Sequence, residues 1–320
     1  MILIRIWDSI NRVPGGLMII PLILGSLVKT FFPSFLDMGS FVTALFKQSA
    51  LPLIALLIFA TGAQTTVRVA PKVLAKAGAL LLAKTLVPGA IIAALGIYLL
   101  GRGEVLPGIS VLSLLAALSN SNGGLWIALA SQYGDATDVG AYIASALNDG
   151  PFFTMLFLGV AGLAQIPGLA LLAAVLPYIL GFILGNLDQK IGEIYKPTAS
   201  IVIPFFAFAL GAGIDIRSLG MGAIGGTIIG LLSTFLTGAF GFLSYKAFFK
   251  DANPGVGFAI GTTAGNSVVV PSIVAQVDPR YASLVASASA ACATAVLITA
   301  ILTPVVTHIV ATRYRMQRNA

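Results

Sequence analysis

Cysteine, histidine and charged residues are all scarce in this sequence. Its 320 residues include one cysteine, Cys292, and one histidine, His308, and only 9% are charged. A single cysteine excludes an internal disulfide and a metal-thiolate cluster, and a single histidine argues against a histidine-based metal site or catalytic triad. Soluble domains contain about 25% charged residues, so a deficit along the whole length indicates a polytopic membrane protein. We expect no cofactor, no bound metal and no nucleic-acid partner.

Long apolar segments make up most of the chain. Hydrophobic residues account for 58% of the sequence, and a helix needs about 20 apolar residues to cross a bilayer. Glycine, proline and charge clusters separate ten such segments, which predict an all-α polytopic membrane protein with ten transmembrane helices. The predicted spans are 15–33, 48–66, 74–100, 107–133, 138–164, 168–187, 197–214, 220–249, 254–277 and 280–311.

The distribution of positive charge predicts the orientation in the membrane. An even number of spans places both termini on one side. The segments on that side carry twelve Lys and Arg residues, against five on the other side. Because cytoplasmic loops are enriched in these residues, we predict that both termini are cytoplasmic. The first twelve residues lack the pattern of a removable signal peptide.

The two halves of the chain resemble each other in sequence. Three short matches occur in the same order, which indicates an internal repeat. Five spans per repeat make the second copy enter the membrane from the opposite face, an arrangement typical of transporters. We predict repeats at 1–165 and 166–320. The matches pair 21–25 with 177–181, 59–68 with 208–217, and 144–146 with 286–288.

Polar residues interrupt two predicted spans at corresponding positions. The run 119–124, Ser-Asn-Ser-Asn-Gly-Gly, lies in the middle of the fourth span, and 261–267, Gly-Thr-Thr-Ala-Gly-Asn-Ser, lies in the ninth, just before Pro271. Irregular backbone at membrane depth is tolerated only where it is buried in protein or lines a cavity. The interruptions therefore predict two broken helices that either form a binding site or pack as a kinked crossing. Their symmetric placement favours the binding site.

Broken helices of this kind favour a small anion. The second half-helices begin near 121–124 and 267–269, and their positive N-terminal ends suit a carboxylate. Neutral polar side chains around them suit hydroxyl groups. The predicted substrate-binding residues are Ser119, Asn120, Ser121, Asn122, Gly123, Asn148, Thr262, Thr263, Asn266 and Ser267.

Two charged residues inside spans are candidates for ion coupling. Asp149 lies in the fifth span, and intramembrane acids often serve as proton or cation sites; a structural pairing or access to the surface is the alternative. Lys84 lies inside the third span. It either extends to the cytoplasmic interface, as long basic side chains do, or faces the bundle and pairs with Asp149 or a substrate carboxylate.

Several stretches resemble the bacterial 2-keto-3-deoxygluconate permease family: 13–25, 122–125, 132–134, 150–155, 176–188 and 203–211. The resemblance implies a proton-linked importer of this sugar acid in the bacterial inner membrane. It also implies kinship with ten-helix carriers related to bile-acid transporters. In those carriers a panel, here 14–66 and 168–215, packs on a core, here 70–165 and 219–312, that contains two crossed broken helices. Lys84 matches a family lysine.

The leading hypothesis is proton-coupled symport of a small sugar acid by alternating access within the lipid bilayer. A sodium-coupled carrier of another organic anion is the alternative, because neutral oxygens and freed carbonyls also suit sodium. A membrane enzyme finds no support in paired acids, a Cys-His pair or a phosphate loop. A sensor would need a soluble output domain, for which the connections are too short.

Overall fold

A computed structural model of the chain describes residues 7, 10, 16–66, 71–100, 103–165, 168–213 and 215–319. Residue 15 at the start of the first predicted span and residue 214 at the end of the seventh lie outside the described residues. The same holds for residues 67–68 of the second sequence match and for 13–15 of the resemblance. It also holds for four of the arginines used to predict orientation, namely Arg5, Arg12, Arg68 and Arg102.

Helices dominate the described residues. The α-helices are Gly16–Phe31, Pro33–Leu36, Ser40–Phe46, Ala50–Gln64, Pro71–Leu81, Val87–Leu95, Val111–Leu118, Gly123–Tyr133, Ala136–Gly140, Ile143–Asn148, Phe152–Val160, Gly168–Leu187, Gln189–Tyr195, Thr198–Gly211, Leu219–Leu231, Gly238–Phe248, Pro254–Phe258, Val270–Val277 and Val285–Asn319. The π-helical segments are Leu82–Leu86, Gly96–Leu100 and Leu232–Thr237, and the 3₁₀ segments are Ile216–Ser218, Gly265–Val268 and Pro279–Leu284. One short antiparallel hairpin, Glu104–Leu106 with Ile109–Ser110, departs from the expected all-α structure.

Helix length and surface composition identify a membrane protein. Three helices are long and apolar enough to span a bilayer, Pro71–Tyr98, Gly222–Phe248 and Pro279–Gln317, or up to five if each of two bent helix pairs is one span. Large apolar side chains are exposed along the helices, as with Phe41 at 88% and Val160 at 82%. Such surfaces are uncommon on soluble monomers and suit lipid. The count of ten spans stays a prediction, because broken helices consist of pieces too short to span alone.

The fifth predicted span is not one continuous helix. Helix Ile143–Asn148 ends at Asp149, and a new helix, Phe152–Val160, begins after Pro151. Gly150 between them has φ +98°, a conformation that other residues adopt only with strain. The interruption was not predicted, because the sequence indicated breaks only in the fourth and ninth spans. The break gives Asp149 an extended backbone at the end of a helix, rather than a place on a helix face.

The first helix crosses a helix of the second half at two glycines. Helix Gly16–Phe31 packs along Thr198–Gly211. A methyl group placed on Gly25 would overlap the backbone of the partner helix, and one placed on Gly211 would overlap that of the first helix. Glycine permits this approach because it has no side chain, as at many helix crossings in membranes. The two backbones are in direct contact.

A second crossing has the same construction. Helix Ala50–Gln64 packs along Gly168–Leu187. Here Gly62 and Gly181 each lie against the backbone of the opposite helix. The two crossings are connected, because Ala50–Gln64 also packs against Thr198–Gly211. These four helices therefore form one closely packed group.

The remaining long helices pack around the C-terminal helix. Val285–Asn319 lies against Leu219–Leu231 along much of its length and also contacts Val111–Leu118 and Pro254–Phe258. Helix Pro254–Phe258 packs in turn on Gly238–Phe248. The two predicted broken helices are thus held among helices from both halves of the chain.

The glycine crossing predicts a strong effect from one added methyl group. Gly25→Ala should destabilise the protein by about 1–3 kcal/mol, because the added carbon overlaps backbone that cannot rotate away. The melting temperature of the purified protein in detergent measures the loss. The matched control is Gly78→Ala, where an added methyl meets no atom within 4 Å. Equal melting temperatures for the two variants would contradict the close contact.

Candidate functional site

The first broken helix ends in side chains that cap their own backbone. Helix Val111–Leu118 stops before Ser119, whose hydroxyl donates to the carbonyl of Leu115 at 2.5 Å. The side-chain nitrogen of Asn120, Nδ2, donates to the carbonyl of Ala116 at 2.9 Å. The carbonyl of Leu115 also accepts from the backbone nitrogen of Ser119 at 3.1 Å, and the Asn120 side chain bonds a second carbonyl of the last turn. For these two residues the structure favours the packed-kink interpretation over direct binding.

The next helix begins at Asn122, which is its N-cap. The Oδ1 atom of Asn122 accepts a hydrogen bond from the backbone nitrogen of Leu125 at 3.0 Å, the usual role of asparagine at this position. Helix Gly123–Tyr133 follows, as the sequence predicted. Residues 119–122, here called the first break, thus join two half-helices.

The second break, residues 259–269, lies between helices Pro254–Phe258 and Val270–Val277. It contains irregular backbone at 261–264, with Ala264 extended, and the 3₁₀ segment Gly265–Val268. The hydroxyl of Ser267 donates to the carbonyl of Ala264 at 2.7 Å, inside the break. The helix is therefore interrupted where the sequence predicted it, over a longer stretch than the first break.

The two breaks contact each other directly. The backbone nitrogen of Asn122 donates to Thr262 Oγ1 at 2.9 Å. The hydroxyl of Thr263 lies 3.3 Å from the carbonyl of Ala117, in the last turn before the first break. Both contacts are buried. Each break therefore supplies hydrogen-bond partners for the other.

Side chains of neighbouring helices bond three further backbone groups of the breaks. Asn148 Oδ1 accepts from the nitrogen of Ser121 at 3.1 Å and from its hydroxyl at 3.0 Å. Asn148 Nδ2 donates to Thr85 Oγ1 at 3.0 Å, and Thr85 donates to the carbonyl of Ser119 at 2.8 Å. In the second break, the nitrogen of Thr263 donates to Thr299 Oγ1 at 3.0 Å. One asparagine thus joins three segments of the first half.

A small cavity lies between the breaks and the four-helix group. Its volume is about 40 Å³, enough for a few water molecules. The lining includes polar residues of both breaks and apolar side chains from helices Ala50–Gln64 and Thr198–Gly211. The lining residues are Leu57, Ser121, Asn122, Gly123, Gly124, Ile127, Tyr142, Asp149, Ile203, Phe206, Ala264, Gly265 and Asn266.

Asp149 and Asn266 form the polar centre of this cavity. Asn266 Nδ2 donates a hydrogen bond to Asp149 Oδ1, so a residue of the second break holds a carboxylate of the first half. The other amide atom, Asn266 Oδ1, is buried and has no hydrogen-bond partner among the described residues. Buried acceptors are nearly always paired. This oxygen is therefore a candidate acceptor for a ligand hydroxyl.

Lys84 lies outside the cavity and is fully buried, with 0% of its surface exposed. It is part of the π-helical segment Leu82–Leu86. Its ammonium group donates to Ser233 Oγ at 2.8 Å and Thr237 Oγ1 at 3.2 Å. The interpretation that Lys84 extends to the membrane interface was wrong. Among the described residues it forms no ion pair with Asp149.

The predicted site residues divide into two groups. Five line the cavity: Ser121, Asn122, Gly123, Asp149 and Asn266. The others, among them the break residues that cap backbone, form the surrounding network: Ser119, Asn120, Asn148, Thr262, Thr263, Ser267 and Lys84.

Sequence reasoning missed the apolar wall and several hydroxyls. Leu57, Ile203 and Phe206 reach the cavity from helices that looked uniformly apolar. Single hydroxyl residues inside apolar spans were the available signal for the network, as at Thr85 and Thr299.

The two members of the third sequence match have different surroundings. Ser145 is buried against Ser121, whereas its counterpart Ser287 binds Glu104 at the surface, so these positions are not equivalent.

Comparisons with known proteins cover nearly the whole chain. The sequence model of the family described as 2-keto-3-deoxygluconate permease, KdgT, matches residues 7–316. The chain belongs to this permease family. It is 44% identical over 314 residues to 2-keto-3-deoxygluconate permease 1 of Salmonella typhimurium, covering 98% of both chains. It is 37% identical to the 2-keto-3-deoxygluconate permease of Pectobacterium carotovorum, covering 97% of this chain and 98% of the relative.

Family membership and the apolar helices together make this a multi-pass membrane protein of a permease family. The resemblance found in the sequence is therefore confirmed. The two relatives named above are permeases by name. The aligned regions include both breaks. The cavity between the breaks is thus the candidate site of a permease.

The network predicts a large structural effect at Asn148. Asn148→Leu keeps the approximate size but leaves the buried nitrogen of Ser121 without Asn148 Oδ1 as its acceptor, while Thr85 keeps its bond to the carbonyl of Ser119. We expect a loss of about 1–3 kcal/mol in stability for the unsatisfied nitrogen, measured as a lower melting temperature in detergent. The matched control is Ser200→Ala, which removes a single exposed hydrogen bond. Unchanged melting of the Asn148 variant would show that the first break does not depend on this amide.

Proposed function

We propose that the chain is a secondary active transporter that carries 2-keto-3-deoxygluconate, or a similar small sugar acid, into the cytoplasm together with protons. The names of the relatives support the substrate class. The observation that carries the proposal is the single cavity lined by both breaks and by Asp149. In one shared cavity, substrate and ion can influence each other's binding directly.

Ten spans in two inverted repeats, 1–165 and 166–320, are part of this proposal. The glycine crossings support it, because the first two sequence matches pair Gly25 with Gly181 and Gly62 with Gly211. Exchanging the repeats therefore turns the Gly25–Gly211 crossing into the Gly181–Gly62 crossing. Each crossing is observed as a close backbone contact. An approximate two-fold axis relating the halves accounts for both.

The core has the same internal correspondence. The π-helical segments Leu82–Leu86 and Leu232–Thr237 lie about 150 residues apart, close to the offset of the sequence matches. In each break one backbone nitrogen, that of Ser121 or Thr263, donates to a side chain that comes later in the same half, Asn148 or Thr299. We assign the four-helix group, 14–66 with 168–215, to a panel. The remainder, 70–165 with 219–312, is the core.

The substrate carboxylate would lie at the start of helix Gly123–Tyr133. The backbone there carries the positive end of the helix dipole, and Asn122 and Gly123 line the cavity. Substrate hydroxyls would bind the free acceptor Asn266 Oδ1 and the hydroxyl of Ser121. Neutral hydrogen-bonding groups match a hydroxylated acid.

Alternating access is supported by the two kinds of wall around the cavity. The wall formed by Leu57, Ile203 and Phe206 belongs to the panel, and the polar wall belongs to the core. Moving the core away from this apolar wall would open the cavity to one side of the membrane at a time.

Proton coupling follows from the position of Asp149. An ionised Asp149 would repel a substrate carboxylate in the same small cavity, because like charges at short range are strongly unfavourable. A proton on Asp149 removes this repulsion. Substrate and proton would then bind together and be released together.

We place the protein in the bacterial inner membrane. Both termini would be cytoplasmic, because the segments on their side of the membrane carry more Lys and Arg residues than those on the other side.

Asp149→Asn tests the coupling. The amide resembles the protonated acid, so the variant should bind and exchange substrate but fail to accumulate it in response to a proton gradient. Uptake of labelled 2-keto-3-deoxygluconate into proteoliposomes, with an inward proton gradient and then under exchange conditions, measures both activities. Accumulation equal to that of the wild type would remove Asp149 from the coupling mechanism.

The same vesicles separate the substrate and ion hypotheses. A panel of labelled sugar acids should show preference for 2-keto-3-deoxygluconate or a close analogue. Replacement of sodium by choline should leave wild-type uptake unchanged, and its loss would favour the sodium-coupled alternative. Failure of every sugar acid to enter would overturn the proposed function.

Asn266→Ala tests the binding site. It removes the free acceptor and the donor to Asp149, so we expect the substrate Kd to rise about tenfold, the value of roughly one hydrogen bond to a charged or buried group. Isothermal titration calorimetry of the purified protein in detergent gives the Kd. Gln276→Ala, an exposed amide on the following helix, serves as the control. An unchanged Kd would move the site away from the second break.

A further inference from the structure

A groove runs along the surface of the molecule between two helices from different halves of the chain. The helices are Pro71–Tyr98 and Gly222–Phe248, and both are long and apolar enough to cross a bilayer. On each helix the lining residues follow the same spacing, i, i+3, i+4 and i+8, which places them in one stripe. The groove has a volume of about 270 Å³ and is lined by Ala79, Leu82, Ala83, Val87, Phe240, Leu243, Ser244 and Phe248.

The walls of this groove are apolar and open to the bilayer. Among its lining residues only Ser244 has a polar side chain. Leu82, Leu243 and Phe248 are exposed, Phe248 with 72% of its surface. Since these residues belong to helices that can span a membrane, the molecule that covers them must be apolar over most of its length.

Two contacts fix how the helices pass each other. The ammonium group of Lys76 lies 5.7 Å from the ring centre of Tyr245, and that of Lys84 lies 3.2 Å from Thr237 Oγ1. Along the chain the order of the two lysines is opposite to that of their partners, so the helices run antiparallel. The beginning of the first helix therefore lies beside the end of the second, at one end of the groove.

Three exposed lysines lie at this end of the groove. Lys72 precedes Ala79 by about two helical turns and so lies on the same face of its helix. Lys246 lies about one turn beyond Leu243, and Lys250 follows the C-terminal end of the same helix. One end of the apolar groove is therefore positively charged.

The charge of these three lysines is not neutralised by ion pairs within the described part of the chain. The lysines that form ion pairs there are Lys47 and Lys76. The acid next to Lys250 in the sequence, Asp251, lines a separate cavity together with Arg315. The end of the groove thus suits a negatively charged group.

A phospholipid has the same order of polarity along its length, from a charged headgroup through glycerol esters to acyl chains. We propose that an anionic phospholipid occupies this groove. Its phosphate lies against the three lysines, as in other basic pockets between membrane helices, and an acyl chain lies along the two apolar stripes. The ester groups lie near Ser244, about one turn from the end of its helix. The proposal goes beyond the transport function and does not depend on it.

The lipid would contact both halves of the core at once. It would therefore stabilise the seam that the contacts of Lys76 with Tyr245 and of Lys84 with Thr237 also hold. In the topology proposed above, the lysines face the cytoplasm, so the lipid belongs to the inner leaflet.

Native mass spectrometry of the purified protein in detergent tests the proposal. The protein is titrated with phosphatidylglycerol, which is anionic, and with phosphatidylcholine of the same acyl chains, which is not. The apparent Kd should be about tenfold lower for phosphatidylglycerol. This lipid should also raise the melting temperature more than phosphatidylcholine does, because a ligand that binds only the folded state stabilises it.

Two variants separate the charged end from the groove. In the triple variant Lys72→Gln, Lys246→Gln, Lys250→Gln, the Kd for phosphatidylglycerol should rise about tenfold or more, because each lysine near an anionic headgroup strengthens binding several-fold. Ser244→Phe fills the groove but keeps the lysines, so it should weaken phosphatidylglycerol binding as well. The matched control is Lys190→Gln, Lys196→Gln, which removes exposed lysines from the panel and should leave the Kd unchanged.

Other outcomes would overturn the proposal. Equal affinities for the two lipids would mean that the lysines recognise no headgroup. An unchanged Kd in the triple variant, or an equal rise in the panel control, would mean that the lipid binds elsewhere. A protein dimer that separates in the triple variant would mean that a second copy of the chain covers the groove. If Ser244→Phe does not fold, the exposed lysine variants decide. These measurements require no substrate, so failure of sugar-acid uptake leaves them interpretable.

Discussion

The need to pair backbone groups at two helix breaks governs the structure of the core. A free N–H or C=O in an apolar interior costs several kcal/mol, and two interrupted helices expose many such groups at one depth. The chain meets this need with short side chains. Asn148, Thr262 and Thr299 each accept a bond from a backbone nitrogen of a break, and Thr85 and Thr303 donate to break carbonyls. Helices from both halves must therefore keep their register around the crossing.

In the proposed site, binding falls to polar groups that line the cavity. Ser119 and Asn120 bond carbonyls of the first half-helix and do not line the cavity, although their position in the sequence suggested a role in binding. Asn120 Oδ1, like Asn266 Oδ1, is buried without a hydrogen-bond partner among the described residues, but only Asn266 lines the cavity, together with Asp149. The polar residues predicted for the site thus divide into those that bond backbone and those that line the cavity. Their places in the fold, and not their residue types, distinguish the two groups.

The sequence predicted the features that depend on local composition. Polar and glycine-rich runs located both breaks, and an asparagine before two glycines is a good helix start, so Asn122 and the cavity residue Asn266 were found. Features that depend on which helices meet were not predictable. The break at Asp149 requires Gly150 to adopt a positive φ, and the apolar wall of Phe206 and Leu57 depends on helix packing. Lys84 was recognised, but its hydroxyl partners lie about 150 residues away in the chain.

The glycine crossings have a mechanical consequence. At Gly25 and at Gly62 the two helices touch through their main chains, so no side chain at the contact can change rotamer to let one helix slide past the other. Ordinary helix pairs shift by such small side-chain adjustments, whereas these two pairs should resist sliding. The four helices are therefore stiff with respect to one another. Relative movement within the molecule would then be concentrated at the apolar wall of Leu57, Ile203 and Phe206, where side chains and not interlocked main chains form the surface of the cavity.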